Sequence, residues 1–357
     1  MKVMIFAPSQ SIHTHKWATY LQKQANTDVV VVSFENHYSA ENAKEVRTIA
    51  LPSRLPGKLS YFPAIFSLKK VIQKEQPDIL HAHYASSYGF IASWVSFHPT
   101  IVSVWGSDIY EFPRKNTLQR YIVERSLQKA DLVCSTSQAM AEETRKYTAK
   151  KIEVTPFGVD TELFQPVEKE DSVYLRIGIA KGLKDLYGYP ELLQGFADFV
   201  RAGRKAELYI MGDGEERDKY EEMVAQLNIS KEVHFLGHVS NREVANKLQE
   251  LDVFILPSHQ DSFGVAALEA QAAGVPVAVH RVGGLPEVVL DQTTGLIMDG
   301  NSPRHITETL QWFADHQTKR YEMGKAAAEF VREQYSWSES GKRMKRIYQE
   351  ILEKKGE

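Results

Sequence analysis

The stretch from Asp252 to Gly295 reads DVFILPSHQDSFGVAALEAQAAGVPVAVHRVGGLPEVVLDQTTG, and it leaves few choices of fold. Asp252 to Leu256 is a short apolar run of the kind buried in a parallel sheet. Pro257 to Gln260 break it, and Asp261 or Ser262 is placed to cap a following helix. Gly274 ends that helix ahead of a second buried run, Pro276 to Val279. The order is strand, loop, helix, strand, and the loop at a strand's carboxyl end is where open α/β sheets bind ligands.

The helix has almost no polar face, because Val265, Ala266, Ala267, Leu268, Ala270, Ala272 and Ala273 surround Glu269. A carboxylate in such a setting needs fixed donors, and ligand hydroxyls would serve. A glutamate turned to solvent from a half-exposed helix is the plainer alternative. If the helix reaches back to Asp261, the two carboxylates are about 12 Å apart along its axis, too far to share a proton or a metal. They suit the two ends of a long, hydroxyl-rich ligand whose anionic middle meets the helix N-terminus. A nucleotide-sugar has that layout.

Asp261-Ser262-Phe263-Gly264-x4-Glu269, then A-x-A-A-G-V-P-V and V-G-G-L-P-E-V-V, resemble the signature of family 4 retaining glycosyltransferases. The resemblance implies the GT-B fold: α/β, two Rossmann-like doubly wound parallel-sheet domains facing a cleft, with a C-terminal helix crossing back to the first domain. It places Glu269 on the ribose and the segment Ser262, Phe263, Gly264, Val265 at the donor diphosphate. Asp261 stands where relatives have Glu, one methylene shorter, toward the donor sugar. Lys181 matches an arginine that relatives aim at the diphosphate, and Lys184 is the candidate second cation. The backbone near His238 and Val239 corresponds to the nucleobase contact. Trp105 replaces a histidine that relatives use on the donor sugar; it can stack on a ring or wall the cleft, which leaves Asp108 as the polar candidate in that loop. Catalytic roles are thus expected of Lys181, Asp261 and Asp108. Where relatives have a glycine pair after the first strand, this chain has Ser11, His13 and His15, so Ser11 and His13 are candidates for the acceptor side. His13 reads equally well as a helix cap. His81 and His83, in the strand Asp78 to His83, read as structural, and Phe157-Gly158-Val159-Asp160 replaces the Asn of the family's P-N-G-V-D turn with Phe157.

A chain of 357 residues accommodates two domains with proper cores. A net charge of −3 argues against a dedicated nucleic-acid binder. The single Cys134 excludes a disulfide framework and a cysteine-rich zinc site. No run has metal-ligand spacing, so neither metal nor cofactor is expected, the nucleotide-sugar being substrate. No apolar run has the length of a spanning helix. The expectation is a cytoplasmic protein able to dock at the inner face of the membrane. The segment Leu59 to Glu75, with Phe66 beside Lys69, Lys70 and Lys74, could lie on an anionic surface, although an ordinary amphipathic surface helix is the plainer reading. The basic segment Arg114 to Lys129 is a candidate acceptor-side patch.

Strands are expected at Lys2–Ala7, Asp28–Phe34, Thr100–Val104, Asp131–Ser135 and Ile152–Pro156, then at Tyr174–Ile179, Ala206–Met211, Val233–Leu236 and Gly295–Met298. Asn301 to Tyr335 reads as helical. The domains are placed at 1–168, on the acceptor side, and 169–336, for the nucleotide-sugar. The helix 337–357 packs back on the first. The expected partners are a nucleotide-sugar, most naturally a UDP-sugar, and a glycan, lipid-linked or small-molecule acceptor. Two other readings stay open: a GT-B sugar-nucleotide epimerase, and a non-catalytic nucleotide-sugar binder.

Overall fold

The computed structural model describes residues 1–52, 61–168 and 172–356. Contacts divide the chain into two compact units, Met1–Gly158 with Trp337–Glu357, and Val159–Ser336. The sequence placed the boundary at 168/169. The contacts divide at Gly158 because the Val159 N–H bonds the Tyr335 carbonyl at 2.7 Å and Pro166 lies against Gly274, all within the second unit. Of the expected boundary segment 166–171, residues 169–171 lie outside the described residues.

The first unit is built on a parallel sheet of β1 (Lys2–Phe6), β2 (Asp28–Phe34), β3 (Thr48–Leu51), β4 (Ile79–His83), β5 (Thr100–Val104), β6 (Leu132–Ser135) and β7 (Ile152–Val154). Its order is β3-β2-β1-β4-β5-β6-β7. Val3 pairs with both Val29 and Ile79, so β1 lies in the middle with apolar neighbours on each side. Near-continuous burial along β1, β4 and β5 is what a sheet covered by helices on both faces requires. β3 escaped the sequence reading. Its four residues, TIAL, sit at the edge with Thr48 and Ile49 only partly buried, and give no alternating pattern of useful length.

The second unit repeats the plan with β8 (Leu175–Ala180), β9 (Ala206–Met211), β10 (Val233–Gly237), β11 (Val253–Leu256), β12 (Val277–His280) and β13 (Gly295–Met298). The order β10-β9-β8-β11-β12-β13 reverses between β8 and β11, as the first sheet's does between β1 and β4. At such a reversal the loops leaving the two strands diverge and open a crevice at their carboxyl ends.

Asn301 to Tyr335 is not one helix. His316, at φ −121° and ψ 57°, breaks it into Pro303–Asp315 and Gln317–Gln334. The second of these packs on the alanine-rich helix Val265–Ala272, and a side chain at Gly324 would meet the Gly274 carbonyl, so the small residues set a close approach. The expected helix 59–75 is described as Tyr61–Glu75; residues 59 and 60 lie outside the described residues. The helix Trp337–Gly356 belongs to the first unit. Trp337 stacks on Tyr20 and packs edge-on to Trp17, while the Tyr348 hydroxyl lies 2.6 Å from His81 Nδ1.

Candidate active site

In the second unit, the loops after β8 and β11 leave the sheet at its point of reversal, and glycines lock them to their neighbours. A Cβ at Gly212, in the turn after β9, would run into the Lys181 carbonyl, so the backbone of that turn packs directly on the Lys181 loop. Gly283, at φ 51°, has the same relation to the Asp261 carbonyl, and a Cβ at Gly284 would come within 2.6 Å of the Ser262 carbonyl. The Gly284 N–H donates to the Asp261 carbonyl at 3.1 Å. The glycine pair of the V-G-G-L-P-E segment is therefore a backbone clamp on the loop that carries Asp261. It leads into a 3-10 turn, Leu285–Val288.

Lys181 and Asp261 meet in this framework. Lys181 Nζ lies 2.6 Å from Asp261 Oδ2, with side chains only 18% and 6% exposed. Asp261 Oδ1 accepts a second hydrogen bond, from the Phe263 N–H at 3.2 Å. The Lys181 ammonium also sits 5.0 Å from the centre of the Tyr187 ring. A carboxylate this deep is tolerable because a cation and a backbone donor share it.

Neither Asp261 nor Ser262 caps the following helix. The N-cap is Gly264, at φ 105°, and the helix runs Val265–Ala272. Asp261 instead closes a turn onto Phe263, so the axial separation expected between it and Glu269 does not apply. The first N–H groups of the helix, from Val265 on, have no acceptor within it, which leaves a donor cluster beside the Lys181–Asp261 pair. Glu269 is partly buried one turn further on. Gln271, which the sequence reading passed over, is fully buried and donates from Nε2 to the Val288 carbonyl at 2.8 Å and the Ala267 carbonyl at 3.3 Å. A lone amide in a run of alanines was the available signal for that tie.

Lys184 is exposed and forms no ion pair with the described residues. His238 is exposed and Val239 partly buried, just past the left-handed Gly237 that ends β10.

The first unit gathers its candidates separately, beyond the carboxyl ends of β1, β4 and β5. The partly buried His13 stacks on Phe157, with ring centres 4.2 Å apart, and meets Trp105 edge-on at 6.0 Å. Trp105 also packs on His83 and Tyr84. Burial pushes His13 down to about 4 and His83 well below its usual range, so both rings are neutral near pH 7. Ser11 hydrogen-bonds the Tyr84 side chain; it opens the helix Ile12–Gln22 without a side-chain cap. His13 lies inside that helix and does not cap it.

Asp108, the polar candidate of this loop, is tied to the backbone around it. It is buried, and its oxygens accept from the N–H groups of Ala85 at 2.9 Å, Trp105 at 3.1 Å and Gly106 at 3.0 Å. It braces the loops after β4 and β5, because its two oxygens tie the N–H groups of both loops to one buried carboxylate. Burial still raises its pKa against the pull of those donors.

Among the described residues, no group of three His, Cys, Asp or Glu is placed to hold a metal ion, and no helix is long and apolar enough to cross a membrane.

Residues 2–137 match the family described as glycosyl transferase 4-like, and residues 161–330 match glycosyl transferases group 1. The D-inositol 3-phosphate glycosyltransferase of Corynebacterium urealyticum is 29% identical over 306 residues, covering 77% of this chain and 72% of that protein. The N-acetyl-alpha-D-glucosaminyl L-malate synthase of Bacillus anthracis is 29% identical over 311 residues, covering 80% and 78%. Among solved structures, Anabaena HepE in complex with UDP superposes with a TM-score of 0.83 at 15% identity, over 98% of this chain and 100% of that one. Sucrose-phosphate synthase from Thermosynechococcus elongatus gives 0.80 at 18% identity, over 99% of both chains.

Proposed function

We propose the following reaction for this chain, which belongs to the family 4 glycosyltransferases of the GT-B fold: it moves a sugar from a nucleotide-diphosphate donor, a UDP-sugar, to an acceptor hydroxyl with retention of configuration. The observation that carries the reading is the Lys181–Asp261 pair, whose carboxylate stands on the loop that leads into a helix start with no side-chain cap where the second sheet reverses.

The donor diphosphate belongs over Ser262, Phe263, Gly264 and Val265, where backbone N–H groups and the helix dipole favour negative charge. Lys181 supplies a preorganised cation for the charge that grows on the leaving phosphate, and the exposed Lys184 closes on the same group. Glu269 accepts from the ribose hydroxyls, and the backbone at His238 and Val239 meets the base. As the bond from the anomeric carbon to the phosphate breaks, the acceptor oxygen bonds to that carbon on the same face. Its proton passes to the departing phosphate oxygen. No protein base is then required.

Relatives named for D-inositol 3-phosphate and L-malate make hydroxylated acids natural first acceptors to try, beside glycans and lipid-linked sugars. Titration calorimetry with UDP-, GDP- and ADP-sugars tests the donor, and NMR of the product's anomeric centre tests retention. Failure of all three donors to bind, or an inverted product, would overturn the reading.

A further inference from the structure

We propose that one side of the first unit docks on an anionic lipid surface. The helices Tyr61–Glu75, Tyr88–Ala92 and Thr117–Lys129 bury Ala64, Leu68, Ile91, Val123 and Leu127 in a single core cluster, so their outer faces share one side of the sheet. That side carries large apolar groups in water: Phe66 is 68% exposed, Leu118 61%, Tyr121 51% and Trp94 43%. Leu118, Tyr121 and Arg125 follow helical spacing on one face, and the Arg125 guanidinium lies 3.7 Å from the centre of the Trp94 ring. This joins the helix Thr117–Lys129 to the segment after Tyr88–Ala92.

Charge selects the occupant. Lys69, Lys70, Lys74, Lys115 and Lys129 are exposed on the same three-helix side, and the ion pairs among the described residues do not use them. Three of the nearby carboxylates are engaged, Glu75 with Lys2 and Arg47, Glu124 with Arg120, and Glu143 with Arg114 and Lys146, which leaves the exposed Glu111 and Glu142 against five lysines. The whole chain carries −3, so this is a local concentration of positive charge around exposed aromatic rings. Aromatic rings seat at the headgroup level of a bilayer, and unpaired lysines gain from the potential of anionic lipids. A protein partner would need an acidic surface with matching apolar pockets. A bilayer needs only the combination present here.

The test is co-sedimentation of the full chain with vesicles of phosphatidylcholine alone or with a third phosphatidylglycerol, at two salt concentrations. Retention on the anionic vesicles that weakens with salt is expected, with little on the neutral ones. Phe66→Ser with Leu118→Ser and Tyr121→Ser, and separately Lys69→Gln with Lys70→Gln and Lys74→Gln, should each lower retention by about tenfold or more. These positions are exposed, and UDP binding by each variant serves as the check on folding. Absence of retention on anionic vesicles, or retention unchanged in both variants, overturns the proposal. So does a dimer seen by sedimentation velocity that the serine variant dissolves, because a second copy would then own the surface. UDP binding is read independently, so the donor assignment and the lipid surface fail separately.

Discussion

Lys181 and Asp261 follow adjacent strands, β8 and β11, and form a partly buried ion pair at 2.6 Å, so each fixes the other. Lys181→Ala should lower turnover by roughly a hundredfold, the effect of losing one preorganised charge. It should also cost roughly 2 kcal/mol of stability, because Asp261 is left buried without its cation. Adding Asp261→Asn should restore the stability and leave turnover low. Urea melts and initial rates on the wild type and both variants separate the two roles; full activity in Lys181→Ala would remove it from the site.

Glu269→Ala should weaken UDP-sugar binding by roughly ten- to a hundredfold, the range for a hydrogen bond to a charged acceptor. Calorimetry reads this directly. Unchanged affinity would mean that the carboxylate faces something other than ribose.

Gly283→Ala forces a side chain onto the Asp261 carbonyl at a backbone angle that only glycine adopts freely. Donor affinity should fall by at least about tenfold while the far-ultraviolet dichroism stays native. Wild-type affinity in this variant would show that the clamp does not set the loop.

Asp108→Ala leaves three buried N–H donors without an acceptor and should cost roughly 3 kcal/mol. A residue acting only on substrate would lower turnover and leave the melting temperature alone. The brace described here predicts that both fall.

His81 is buried between the Tyr348 hydroxyl and the Ser103 hydroxyl, and burial pushes its pKa to about 3. Above pH 6.5 the folded and unfolded chains are both neutral at this ring, and it contributes no pH dependence. From 6.5 down to about 3 the unfolded chain takes up a proton that the folded one refuses, so stability falls with pH. At pH 5 the loss is about 2 kcal/mol. Urea midpoints at pH 7.5 and 5.0 should show it, and His81→Gln should shrink the difference.

All strands but the edge strand Thr48–Leu51 were legible because they are short and apolar, and several run into a glycine or proline within two residues, as at Pro8, Gly106, Gly212 and Pro257. The site motifs were legible because Asp261, Glu269 and the glycine pair are spaced by backbone geometry within one strand-helix-strand unit. What the sequence withheld was pairing across distance. Nothing in a linear reading joins Lys181 to Asp261, or shows Asp108 consumed by Ala85, Trp105 and Gly106, since those bonds depend on which loops the sheet order makes neighbours. The helix start was misplaced for a related reason: Asp261 is a good capping residue, but its carboxylate is drawn to Lys181 and Phe263 while Gly264 turns the chain. The edge strand Thr48–Leu51 is held by β2 more than by its own composition.

The helix Trp337–Gly356 completes a body whose other residues all precede Val159. On the ribosome, the early residues emerge long before Trp337 can reach Gly158 or Tyr348 can reach His81, while Val159–Ser336 is already whole. The later-encoded body is therefore the one able to mature first, and the earlier one keeps an uncovered flank until the helix Trp337–Gly356 has been made.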